Sequence, residues 1–314
     1  METLAILFDM PLTAYGAGMA LALLVTFAAA AAYLHFTGEK PSAVLRMSVL
    51  AVPLALVCSR VVFVLANITY YTVTLSNLTP ALWFWDGGYS LTGAVIGVMI
   101  AALIAGKLTG APLADAAGFA APLGIAVARA FEAGTGMGLG RPISYDWLLF
   151  MGIDDGMGDT VYPVFIIEAV VALIILAAVM IWRARARQVR RGDTALVSLT
   201  LLSAAQIVLE SMRNDGHMVV HFVRIQMVVC LVMLLAAEII FSRRLILRGG
   251  MKKSQQLALW LVTIVCIGLA VFMEFRVDRG SNKLLYYAVM SACVAVITWM
   301  TLHCRSKAEQ LLRG

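Results

Sequence analysis

Arg129 and Glu132, and again Glu210 and Arg213, are opposite charges three residues apart in or at the ends of strongly apolar stretches. That spacing places two side chains on one helical face, so each pair can neutralise itself or open onto a shared polar cavity. Gln206 lies one turn before Glu210 on the same face, Arg60 falls late in an earlier apolar run, and Glu168 lies about two turns into a later one. Ionisable groups in membrane helices cost a few kcal/mol or more, so they either lock helices together or line a functional cavity. A cluster of them at one depth beside glycine-rich loops points to the cavity.

Two such loops stand out. Trp83-Phe84-Trp85-Asp86-Gly87-Gly88-Tyr89-Ser90 combines interfacial aromatics with a Gly87-Gly88 pair that lets backbone N–H groups approach an anion. Glu132-Ala133-Gly134-Thr135-Gly136-Met137-Gly138-Leu139-Gly140-Arg141-Pro142 has four alternating glycines, which disfavour a helix and suit a loop that closes on a ligand such as a phosphate. His217 and His221 are four apart beside Asp215, a spacing open to a helical metal pair, but as interfacial groups they read as solvated histidines able to serve as a base. The five cysteines occur singly, without CxxC spacing, and read as small buried hydrophobes. Neither a metal nor a cofactor is implied.

The elements that position these groups are membrane helices. Of 314 residues, 62% are hydrophobic and only 13% charged, against about a quarter charged in soluble domains. Nine apolar runs are long enough to cross a bilayer: Thr13 to Phe36, Leu45 to Asn67, Tyr89 to Leu108, Pro112 to Phe131, Val161 to Trp182, Ala195 to Met212, Val219 to Phe241, Leu257 to Glu274 and Tyr286 to His303. The expected fold is an all-α polytopic bundle. Residues 1–241 form a seven-span block, and 242–314 a basic linker, a two-helix hairpin with almost no polar residue inside it, and a short tail. The first run lacks the basic flank of a cleavable signal and is expected to remain as a helix. Alternate connections carry the basic residues, Arg183 to Arg191 among them, while Asp146, Asp154, Asp155 and Asp159 lie on the other side. This predicts an outside N-terminus and a cytoplasmic C-terminus, and it accounts for the net charge of +6 without a nucleic-acid partner.

Taken in order, Tyr15-Gly16, Arg60, Trp85-Asp86-Gly87-Gly88-Tyr89-Ser90 with Gly93, Asp115, Pro122, Arg129, Gly140-Arg141, Pro163 with Glu168, Glu210-x-x-Arg213-x-Asp215 and Gln226 resemble the bacterial phosphatidylglycerol-prolipoprotein diacylglyceryl transferase family. The likeness covers about the first three quarters of the chain. It implies a bacterial inner-membrane enzyme that moves the diacylglyceryl group of phosphatidylglycerol to the thiol of a lipobox cysteine in a prolipoprotein, releasing glycerol phosphate. Such a reaction needs cations for the phosphate and an acceptor for the thiol proton. For that chemistry Arg129, Glu132 and Glu210 are the catalytic candidates. Arg129, Arg213, Arg141, Gly140, Gly87, Gly88 and Tyr15 are the lipid and phosphate candidates, and His217, His221, Thr92, Gln206, Glu168 and Asp86 give a base or polar support.

The chain also departs from the family. Thr92 stands where the family has His, Glu132 where it has a central Asn, Met137 where it has a functional Glu, and Gln206 where an Arg is expected. These changes lower positive charge where an anionic head group would sit and suit another head group better. The chain reads as a diverged paralogue: a lipid-dependent transferase performing the parent reaction or a variant of it. The alternative is a non-catalytic module that binds lipid, or a membrane-protein partner through the last two helices.

Overall fold

The computed structural model describes residues 3–7, 10–84, 87–186, 189–214, 219–220, 223–280 and 282–311. Among them are nine helices long and apolar enough to span a membrane: α1 (Ala14–Phe36), α2 (Ala43–Ala66), α3 (Leu91–Thr109), α4 (Leu113–Ala130), α5 (Val164–Arg185), α6 (Asp193–Met212), α7 (Ile225–Leu247), α8 (Lys253–Arg279) and α9 (Lys283–Gln310). Short antiparallel strands decorate the connections: β1 (Thr3–Leu7) with β2 (Met10–Thr13), β3 (Leu139–Pro142) and β4 (Ile153–Asp154) on either side of β5 (Thr160–Pro163), and β6 (Val219–Val220) with β7 (Val223–Arg224). The fold is the expected all-α membrane bundle.

The differences lie at helix ends. The seventh helix starts at Ile225 and not at Val219, because Val219 to Arg224 turns back on itself as β6 and β7. The fifth starts at Val164, because Thr160 to Pro163 is claimed by strand pairing and Pro163 immediately precedes the helix, where the lack of an N–H costs nothing. Arg213 is not on α6. Its backbone pairs with Gly140, and Asn214 N–H donates to the Leu139 carbonyl at 3.0 Å. The shared-face argument for Glu210 and Arg213 therefore does not hold.

The chain forms two compact units. One comprises residues 1–198 and 213–226. Its core joins Ala30 and Leu34 of α1, Met47 of α2, Ala102 of α3 and Leu113, Ala116 and Ala120 of α4, where the alanines let helices approach closely without a water-driven hydrophobic force. At Gly93 of α3 an added Cβ would lie 2.5 Å from the Cys58 carbonyl oxygen of α2. The buried Asp115 of α4 accepts the N–H groups of Gly192 at 2.7 Å and Ala195 at 3.0 Å. It thereby satisfies donors that the start of α6 would otherwise leave orphaned in an apolar medium.

The second unit comprises residues 199–212 and 227–314. Ala204 and Ile207 of α6, Cys230 and Leu234 of α7, and Val294 and Ile297 of α9 pack together. The hairpin of α8 and α9 is more polar in use than its hydropathy implies. Thr263 of α8 donates to Glu238 of α7 at 2.7 Å, and that glutamate is fully buried. Ser211 of α6 donates its hydroxyl to Glu274 of α8, and Tyr287 of α9 donates to the Ser211 carbonyl at 3.3 Å.

Candidate functional site

In the first unit, the end of α4, the glycine loop after it, the start of α5 and the segment after α6 converge. Arg129 stands in the last turn of α4, and Glu132 follows in a turn closed by its own N–H to the Arg129 carbonyl at 3.0 Å. The loop beyond it holds Gly134, Gly136 and Gly138 at φ of +73°, +75° and +71°, a left-handed conformation that side chains disfavour. At Gly138 the approach is also close, since a Cβ would lie 2.8 Å from Glu132 Oε2 and from Phe165 Cβ. This folds the loop over Glu132 and delivers Gly140 to Arg213.

Arg129 Nη1 donates to Glu132 Oε1 at 2.5 Å, and its Nε lies 2.5 Å from Glu168 Oε2. Arg213 Nη1 is 3.6 Å from the same Glu168 oxygen. Two guanidiniums thus face two carboxylates, all with residue exposure of 4% or less, in a cluster with no formal net charge. Tyr15, at the start of α1, lies in electrostatic reach of Glu132, Arg129 and Arg213. Burial pushes the Glu132 carboxyl above its usual range, opposed by Arg129 and Arg213 and reinforced by Glu168. Its Oε2 is buried with no hydrogen-bond partner among the described residues.

The other sequence candidates sit as follows. Gly140 is packed against Tyr162 and Val164, with no room for a Cβ, and Arg141 follows it, half-buried, in β3. Gly87 and Gly88 have positive φ, and their carbonyls accept from Arg60, which also donates to Ala81 O at 2.9 Å and Pro80 O at 2.8 Å. Arg60 is therefore a staple for that loop. Thr92 is buried in the first turn of α3, which Ser59 of α2 fixes by accepting the Ser90 N–H at 2.8 Å. Glu210 and Gln206 belong to the second unit, where the Gln206 amide donates to Glu210 at 3.4 Å. Asp86, Asp215, His217 and His221 lie outside the described residues. Sequence reading overlooked Glu238, and it gave Ser211, Glu274 and Tyr287 no part; the signal for the two glutamates was a charge inside an apolar run.

A family model described as prolipoprotein diacylglyceryl transferase matches residues 2–243. The chain belongs to the prolipoprotein diacylglyceryl transferase family. Two similar proteins carry the name phosphatidylglycerol–prolipoprotein diacylglyceryl transferase. That of Clostridioides difficile (strain 630) is 25% identical over 215 residues, covering 68% of this chain and 83% of that protein. That of Geobacillus kaustophilus (strain HTA426) is 29% identical over 189 residues, covering 57% of this chain and 68% of that protein. Family and helices together make this a multi-pass membrane protein with a transferase-like scaffold, and the match ends within α7, before the α8–α9 hairpin.

Proposed function

We propose that this chain is a phospholipid-dependent transferase that moves a diacylglyceryl group to a thiol. Arg129 and Arg213 hold the lipid phosphate, and Glu132 accepts the thiol proton. The observation that carries this reading is the buried Oε2 of Glu132, which has no hydrogen-bond partner among the described residues while its other oxygen is fixed by Arg129. A base so held needs only substrate within hydrogen-bond reach. The sulfur then bonds to the glyceryl carbon, the carbon–oxygen bond to phosphate breaks, and the electron pair leaves with the phosphate oxygen, where arginines stabilise the charge. Following the names of the relatives, the donor is phosphatidylglycerol and the acceptor a prolipoprotein, whose thiol the family resemblance assigns to a lipobox cysteine.

A second reading, lipid or partner binding without turnover, is favoured by one feature: carboxylates already stand at two nitrogens of Arg129. The deciding experiment is transfer from radiolabelled phosphatidylglycerol to a lipobox peptide by the purified chain, alongside rescue of cells depleted of their own diacylglyceryl transferase. Labelled peptide and rescued growth are expected. Lipid retained through purification without transfer or rescue would favour the binding module.

The arrangement of basic connections supports a bacterial inner-membrane protein with an outside N-terminus and a cytoplasmic C-terminus. In a variant lacking the five native cysteines, Met157→Cys, at a position 91% exposed in the β4–β5 connection, should react with an impermeant thiol reagent in intact cells. Arg190→Cys, in the α5–α6 connection, should react only after lysis. The reverse pattern would overturn the orientation.

A further inference from the structure

We infer that the α8–α9 hairpin is a positioning element for the end of α6, the segment from which Glu210 and, two residues beyond the clamped Ser211, Arg213 emerge. This rests on the proposed function only in assigning Arg213 to the phosphate site.

The contact is specific. Ser211 is fully buried, and it is held at both of its polar ends. Its hydroxyl donates to the Glu274 carboxylate near the end of α8, and its carbonyl accepts from the Tyr287 phenol in the second turn of α9. That carbonyl is one of the last of α6, which have no partner within their own helix. In an apolar medium an unmet carbonyl costs several kcal/mol and is free to fray or seek another donor. Tyr287 removes that freedom, and Glu274 sets the rotation of the last turn.

Ala204 and Ile207, two turns and one turn earlier, pack in a cluster with Val294 and Ile297 of α9, so the hairpin holds α6 by an apolar seam ending in a polar lock. The family match stops at residue 243, and both lock residues lie beyond it. Two polar groups of the helices beyond the match, Glu274 and Tyr287, thus meet the turn that bears Glu210. A hairpin serving only as extra membrane surface would not need a carboxylate there, since even a half-buried one is costly in a membrane helix.

The test uses the full chain in nanodiscs containing phosphatidylglycerol, comparing wild type with Glu274→Ala, Tyr287→Phe, the double variant and Glu274→Gln. Glutamine still accepts from Ser211 and serves as the conservative rescue. Amide hydrogen exchange across residues 207–214 should rise about tenfold in Glu274→Ala and further in the double variant, and stay near wild type in Glu274→Gln. Transfer of labelled diacylglyceryl to a lipobox peptide should fall by roughly tenfold or more in kcat in the same variants, because small misplacements of reacting groups are expensive. KM for the peptide and the exchange of α1 to α4 should not move.

Unchanged exchange at 207–214 in the double variant would overturn the lock, whatever the activity. Raised exchange with unchanged transfer would leave a lock that positions nothing, which also overturns the inference. A wild type that transfers nothing would sink the transferase reading alone, and exchange would still decide whether the hairpin holds α6.

Discussion

Glu132→Gln should slow diacylglyceryl transfer by roughly two orders of magnitude or more, the usual contribution of a general base, while phosphatidylglycerol stays bound. Glutamine keeps the size of the side chain, and its carbonyl can still accept from Arg129 Nη1, which now meets Glu132 Oε1 at 2.5 Å. What disappears is the ability to take a proton. The cluster of Arg129, Arg213, Glu132 and Glu168 also gains a positive charge, so retention of an anionic head group should rise even as turnover falls. Loss of turnover with unchanged or greater lipid binding is a result that neither misfolding nor loss of a phosphate cation would produce.

The pH profile supplies an independent reading. Burial raises the Glu132 carboxyl above the usual glutamate range. The base acts as carboxylate, so log(kcat/KM) should fall as pH drops through that raised value, placing the acid limb higher than an exposed glutamate would, near 4.3. In Glu132→Gln the residual rate should lose this limb. If the limb persists in Glu132→Gln and vanishes in Glu210→Gln, the proton goes to Glu210, and the roles of the two carboxylates must be exchanged.

The nine helices were legible because run length is a strong constraint: about 20 apolar residues at 1.5 Å each are what a bilayer core demands. The Arg129–Glu132 contact was legible for the same local reason, being fixed by one helical turn. Arg213 was misread because it looked like the last residue of a helix, whereas its backbone is claimed by Gly140, a partner remote in sequence that periodicity cannot see. The centrality of Glu168, which faces both arginines, is likewise a tertiary fact. Glu238 and Glu274 were passed over for a different reason: one carboxylate barely changes the average of an apolar run. Its importance comes from having to find a partner there, as Glu238 does in Thr263 and Glu274 in Ser211.

Arg129→Ala should be costly to the fold as well as to the chemistry, by about 3–5 kcal/mol at neutral pH, the expected consequence of stripping one partner from a buried ion cluster. Glu132 would lose the guanidinium that donates to its Oε1, and Glu168 would lose the Arg129 Nε that now stands 2.5 Å from its Oε2. The pH dependence follows from the sign of the Glu132 shift. Its folded pKa is already raised, and Arg129 is among the groups that hold it down, so the variant raises it further. A folded pKa above the unfolded one, near 4.3, means the folded protein binds the proton more tightly. The contribution to stability is then fully present below the unfolded value and is lost as pH rises through the folded one. Arg129→Ala should therefore melt closest to wild type near pH 4 and fall progressively below it toward pH 8. Combining Arg129→Gln with Glu132→Gln, which removes both charges and leaves Glu168 with Arg213, should recover most of the loss at pH 8 without restoring transfer. Melting of the detergent-solubilised chain at both pH values checks this. A deficit independent of pH, or a double variant no more stable than Arg129→Ala, would mean that Arg129 acts by packing and not by balancing buried carboxylates.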